Sequence, residues 1–122
     1  MTRIAVSSEG PSLNQPVDPR FGRAAGFMIV DPTDMSFEYL DNGGSQTMAQ
    51  GAGIQAAAAV VRSGARVVLT GFVGPKAFQA LKSAGVDIAQ NLDDMNVGEA
   101  VQAYLDGRVV AAQAPNSGGH GR

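Results

Sequence analysis

At 122 residues, 44% of them hydrophobic and 16% charged, the chain has apolar material for one globular core and too little length for two. A net charge of −2 and a pI near 5.1 argue against the basic face of a nucleic-acid binder. The absence of cysteine removes disulfides, thiolate metal sites and cysteine nucleophiles together, and it fits a reducing compartment.

The first eleven residues hold no apolar run of signal length, and no later segment approaches a membrane span. A cytoplasmic protein with no membrane insertion and no nucleic-acid partner is expected. Ile4, Ala5 and Val6 read as a first strand, followed by the turn cluster Ser7, Ser8, Glu9, Gly10 and Pro11. A long loop continues to Ala25, where Pro16 and Pro19 withhold ladder hydrogen bonds and force the residues before them into extended geometry. Residues 27–30 form the next strand, and Asp31, Pro32, Thr33 and Asp34 make a turn. Residues 35–41 alternate, with Phe37 and Tyr39 on one side and Ser36 and Glu38 on the other, so strands two and three pair as a hairpin with one covered face.

A loop over residues 42–49 leads to a glycine-bounded unit, residues 50–76. Ile54, Ala57, Ala58 and Val61 follow the i, i+3, i+4, i+7 spacing of a buried helical stripe, opposite Gln55, Arg62 and Ser63. Gly64 ends that helix, and Val67, Val68 and Leu69 read as a central strand covered on both faces. Gly71, Phe72, Val73 and Gly74 form a loop, and Pro75 opens the next helix at the position that tolerates a missing N–H. That helix runs to residue 84 with Phe78 and Leu81 inward, and Gly85 ends it. Residues 86–90 are a short strand. Asn96 with Glu99 resembles a capping box for a helix bearing Val97, Ala100, Val101 and Tyr104 on one stripe, ended by Gly107. Residues 109–112 are expected as a last strand, and residues 116–122 as a mobile glycine-rich tail to a single domain over residues 1–115. The expected order, βββαβαβαβ, describes an α/β fold with a mixed sheet and helices on both faces.

Several familiar chemistries fail on context. Gly51, Ala52, Gly53, Ile54, Gln55 and Ala56 match the G-x-G-x-x-A dinucleotide pattern, but no strand precedes them and the following strand ends in Thr70 rather than an acidic residue. Residues 71–76 lack the spacing of a P-loop. Two-metal nuclease chemistry needs clustered carboxylates, which the first strand does not supply; Asp18, Asp31, Asp41 and Asp87 read as turn and loop carboxylates. His120 is the one histidine and sits in the tail without a catalytic partner. Arg20 and Arg23 flank Phe21 and Gly22, with too few acidic neighbours to hide both charges; the pair reads either as an anion clamp or as solvated surface charge. The glycine-rich starts of two helices, around Gln50, Gly51, Ala52 and Gly53 and around Gly71 to Gly74, offer unpaired N–H groups to an anion if the fold brings them together.

Four blocks carry a resemblance that spans nearly the whole chain: Arg3-Ile4-Ala5-Val6-Ser7, Pro16-Val17-Asp18-Pro19-Arg20-Phe21-Gly22-Arg23-Ala24, Gly51-Ala52-Gly53-Ile54-Gln55-Ala56 and Thr70-Gly71-Phe72-Val73-Gly74-Pro75-Lys76-Ala77-Phe78. Together they resemble the nitrogenase accessory-factor family, the iron-molybdenum cofactor binding domain. Within it the chain is most similar to the branch from sulfate-reducing bacteria that holds a molybdenum-copper sulfide cluster without covalent attachment. The resemblance implies a ribonuclease-H-like three-layer α/β/α fold, carriage of a metal-sulfur cluster, no enzymatic turnover, and an ATPase of the cell-division or cluster-assembly type as partner. Nitrogenase-branch members use a histidine or cysteine ligand, which here leaves His120 alone to serve. A sulfide-saturated anionic cluster needs charge compensation and apolar contact more than a donor atom. The expected cradle is therefore the N–H groups of Gly51 to Gly53 and Gly71 to Gly74 with Arg20, Arg23 and Lys76, while Phe21, Met48, Phe72 and Val73 exclude water. Two other readings stand beside it: a metal-free interaction module in which the Phe72-Val73 loop and the glycine-rich tail dock on an ATPase, and a small-molecule phosphate binder or enzyme using the same anion cradle.

Overall fold

The computed structural model describes residues 2–46 and 50–116. Its elements are β1 (Arg3–Ser8), β2 (Gly26–Asp31), β3 (Ser36–Asp41), α1 (Gly43–Gln46), α2 (Ala52–Arg62), β4 (Ala65–Leu69), α3 (Pro75–Ser83), β5 (Asp87–Ala89) and α4 (Val97–Leu105). The five strands lie in the order β3-β2-β1-β4-β5. β1, β2 and β3 are successively antiparallel, with Val6 opposite Met28 and Met28 opposite Tyr39, while β4 runs parallel to both β1 and β5. β1 is thus the middle strand, and β4 lies inside the sheet beside it.

Strand periodicity sends alternate side chains to two cores. Ala5, Phe27, Ile29, Val68 and Ile88 face one way and pack under α2 and α3, where Ala56, Val60, Phe78 and Leu81 meet them. Ile4, Val6, Met28, Val30, Val67 and Leu69 face the other way and pack under α4 through Val97, Ala100 and Val101. Full burial of side chains such as Phe27 and Ile4 stabilises by roughly 1.5–3 kcal/mol each before conformational entropy is counted. α4 begins at the expected reciprocal cap: the Glu99 N–H donates to Asn96 Oδ1 at 2.8 Å and the Asn96 N–H to Glu99 Oε1 at 2.9 Å. Gly64, Gly85 and Gly107, each at positive φ, follow the ends of α2, α3 and α4.

Four expectations need correction. The stripe that α2 buries is Ala52, Ala56, Ala57 and Val60; Ile54, Ala58 and Val61 are exposed. A run of four alanines and two valines is apolar at every phase, so periodicity alone leaves the inward face undetermined. Residues 109–112 form no strand. Val109 packs with the α4-side core and Ala112 with the other, so the chain crosses the sheet edge rather than running along it, with the Ala112 N–H donating to Ile88 O at 2.7 Å. The loop after β3 contains the one-turn α1, entered where Asp41 Oδ1 accepts the Gly43 N–H at 2.9 Å. On β3 Tyr39 is half-buried against the α4-side core, but Phe37 is 44% exposed, because this strand is the sheet's edge.

Candidate functional site

In open α/β sheets the crevice at the carboxyl ends of the strands, where the strand order reverses, is the usual place for a ligand. Here the chain leaves β1 for the long loop and leaves β4 for residues 70–74, and the two segments are stitched together. The Phe72 N–H donates to Pro19 O at 2.7 Å and the Phe21 N–H to Phe72 O at 3.0 Å. Beneath them the Ser7 hydroxyl donates to Asp18 O at 2.7 Å and lies 2.7 Å from Thr70 Oγ1. Ser7 has one proton and gives it to Asp18, so Thr70 is the donor of that pair.

Asp18 shapes the loop above. Its carboxylate is 4% exposed; Oδ1 accepts the Arg20 N–H at 3.1 Å, Oδ2 accepts the Ala25 N–H at 3.2 Å, and Arg20 Nε lies 3.6 Å from Oδ1. Asn42 Nδ2 closes the same loop from the other side, donating to Ala24 O at 3.0 Å and Gly22 O at 3.3 Å. Asp18 and Asn42 were not singled out as site-forming by composition or motif. The signal for Asp18 was its place between Pro16 and Pro19, where an Asx turn is favoured.

This loop faces the starts of two helices. An open cavity of about 420 Å³ is lined by Arg20, Phe21, Gly22 and Arg23, by Gly51, Ala52, Gly53 and Ile54, and by Phe72, Gly74, Pro75, Lys76 and Ala77. Both helices have glycine at the N-cap, Gly51 for α2 and Gly74 for α3, so no side chain caps either first turn. Gly51 takes φ 81°, a left-handed conformation natural to glycine. Approach is close: a Cβ on Gly22 would lie 2.9 Å from Gly53 Cα, and one on Gly53 would lie 3.1 Å from Ala77 Cβ. The glycines therefore bring three segments within contact distance.

The structure gathers ten of the expected site residues: Arg20, Phe21, Gly22, Arg23, Gly51, Ala52, Gly53, Phe72, Gly74 and Lys76. It adds Ile54, Pro75 and Ala77. Gln50 is exposed and does not line the cavity. Val73 is fully buried in the core, and its N–H is donated to Asn116 Oδ1 at 3.0 Å. Gly71 is buried against Pro19, and its carbonyl accepts from the Asn91 N–H and Asn116 Nδ2. The loop after β4 thus spends the Phe72 and Val73 N–H groups on the protein itself, leaving the α2 and α3 first turns as the better anion donors. Asn116, expected in a loose tail, is held by four hydrogen bonds, two of them at that loop. Met48 and His120 lie outside the described residues.

Electrostatically the cavity is cationic, with Arg20, Arg23 and Lys76 at its wall and no carboxylate among its lining residues. Arg20 is oriented by Asp18, while its side chain remains 59% exposed. Phe21 floors the cavity, its ring 5.1 Å from that of Phe27. Among the described residues no group of three or more His, Cys, Asp or Glu is placed to hold a metal ion. The lining thus suits an anion rather than a bare metal cation.

The chain belongs to a known class: residues 1–107 match the family described as dinitrogenase iron-molybdenum cofactor, and the chain is a member of that family. Among solved structures it is similar to the apo form of the orange protein from Desulfovibrio gigas, at 58% identity and a TM-score of 0.94 over 96% of this chain and 98% of that one. A Thermotoga protein described as a candidate NifB protein aligns at 32% identity and a TM-score of 0.78, over 91% and 93% of the two chains. An uncharacterized protein of Methanocaldococcus jannaschii is 26% identical over 102 residues, 81% of this chain and 85% of its own. Among the described residues no helix is long and apolar enough to cross a membrane.

Proposed function

We propose that the protein binds and carries a preformed anionic metal-sulfide cluster of the molybdenum-copper type, held noncovalently in the cavity between the starts of α2 and α3. The observation that carries this reading is the convergence, around one open cavity, of two glycine-capped helix starts with Arg20, Arg23 and Lys76 over an aromatic floor. Its support from kinship is the 58% identity to the orange protein. The helix starts and cations balance the cluster's charge, and Phe21, Phe72 and Ile54 shield its sulfide surface from water. On this reading the protein is a cytoplasmic carrier rather than an enzyme, within the ribonuclease-H-like architecture that the family resemblance implies. The partner we assign to supply or receive the cluster is an ATPase of the cell-division or cluster-assembly type.

The test is reconstitution with tetrathiomolybdate and copper, followed by gel filtration and visible absorption. Color should travel with the wild-type protein and be loosened by salt, since partly exposed charges are screened. Arg20→Ala combined with Arg23→Ala should lose about 1–3 kcal/mol of binding, the range for charge-assisted hydrogen bonds, with the fold intact. Equal color retention by the double mutant removes the arginines from the site. No retention by the wild type favors the metal-free interaction module, for which the exposed Ile54 at the cavity rim is the supporting observation.

A further inference from the structure

Of the three larger apolar residues of α2, Val60 is buried, while Ile54 and Val61 turn outward. Ile54, Ala58 and Val61 occupy one helical face at i, i+4 and i+7; Ile54 is 49% exposed, Val61 39%, and Ala58 is also exposed. Three of the four residues the helix buries are alanines. Core packing therefore does not account for isoleucine and valine at the outer positions, where both remain partly exposed.

Charge is segregated around this face. All eleven carboxylates of the chain lie outside residues 42–86, a stretch that carries Arg62, Arg66, Lys76 and Lys82. That stretch builds α2, β4 and α3, the helices of one side of the sheet. Arg20, Arg23 and Lys76 meet at the cavity on the same side, with Ile54 at the rim. On the opposite side, α4 and its flanks carry Asp93, Asp94, Glu99 and Asp106, with Arg108 ion-paired to Asp106. The net charge of −2 conceals a surplus of cations on the α2 and α3 side, where Lys82 is paired with Asp87, and a surplus of carboxylates on the α4 side.

We propose that the outer face of α2 is a docking surface for an acidic partner protein that presents an amphipathic helix, its apolar row on Ile54, Ala58 and Val61 and its carboxylates toward Arg62 and Lys76. An apolar row flanked by exposed cations such as Arg62 and Lys76 can recognize a helix by both packing and charge. Because Ile54 belongs to the row and to the cavity rim, a seated partner covers the cavity mouth. The proposal does not require that the cavity hold a cluster. A second copy of this chain would offer its acidic α4 in a head-to-tail contact, whose sign is a particle mass that rises with concentration.

The experiment uses the full chain and two synthetic amphipathic helical peptides with the same leucine row, one with glutamate and one with lysine at its polar positions, read by fluorescence anisotropy. The glutamate peptide should bind at least about tenfold more tightly than the lysine peptide, and more weakly as salt is raised. Val61→Glu and Arg62→Glu, both at exposed positions, should each weaken it about tenfold with thermal unfolding unchanged, while Asp94→Ala on the far side leaves it unaltered. Equal binding of the two peptides, binding of neither, or binding indifferent to Val61→Glu overturns the proposal. A particle mass that rises with concentration and falls back in Val61→Glu also overturns it, giving the face to a second copy.

Discussion

Replacing Asp18 by asparagine tests whether the loop that carries Arg20 to Arg23 is held as the structure describes. The carboxylate is 4% exposed and both oxygens accept a backbone N–H, from Arg20 at 3.1 Å and Ala25 at 3.2 Å. An amide keeps one acceptor and sets an N–H₂ group against the other donor, so one buried N–H loses its partner. That costs about 1–3 kcal/mol. The ion pair with Arg20 contributes less, because the arginine side chain is 59% exposed and screened; about 0.5 kcal/mol suffices. The expected destabilization is therefore about 1.5–3.5 kcal/mol, leaving a folded domain by ordinary stability margins. Asp31→Asn is the internal control. Asp31 Oδ1 accepts the Thr33 N–H at 2.9 Å with the same two-residue offset, but at an exposed turn where water replaces the lost bond, so its cost should stay within about 0.5 kcal/mol. Urea unfolding of both variants, with equal slopes, measures the difference. If Asp18→Asn and Asp31→Asn fall at the same midpoint, the buried carboxylate does not organize the loop.

Gly22→Ala sets a methyl 2.9 Å from Gly53 Cα, against backbone that has little room to give, and should cost about 1–3 kcal/mol; Gly44→Ala, whose Cβ would meet nothing within 4 Å, should be neutral or stabilizing in the same denaturation assay. Asn116→Ala leaves the buried Val73 N–H without its acceptor and should lower stability by about 1–2 kcal/mol, whereas a chain ended after residue 116 should match the full chain; equal stability of Asn116→Ala would mean that water serves Val73 as well. Burial, followed by the charges of Asp41 and Asp18, raises the Tyr39 phenol above its ordinary value of 10.0. Its folded-state contribution is full below the unfolded value and is lost as pH rises through the folded one, so alkaline unfolding should be shallower in Tyr39→Phe than in the wild type.

Local signals carried much of the fold. The strand at Phe37 and Tyr39, though not its covered face, the glycines after α2, α3 and α4, Pro75 at a helix start and the Asn96 and Glu99 cap are each written in adjacent residues, because strand pleat, helix termination and capping are decided within a few positions. The two-core alternation of β1 and β2 follows from the same short-range geometry. Four blocks in the right order were enough to indicate the family that the match over residues 1–107 establishes.

Choices among equally apolar or equally polar residues were made elsewhere. Which face of α2 turns inward depends on where β4 and α3 lie, since its alanines and valines satisfy every phase. Val73 and Phe72 are neighbors in a loop, yet one is core and the other cavity wall, a division set by the stitch to Pro19 and the hydrogen bond that the Val73 N–H donates to Asn116, 43 residues away. Asp18 looked like any turn carboxylate until β1, β4 and the long loop closed over it and removed its water. The carboxylate-free stretch 42–86 is legible in the sequence, but the cavity exists only because segments far apart in the chain meet, and such contacts leave no periodicity in the residues that make them.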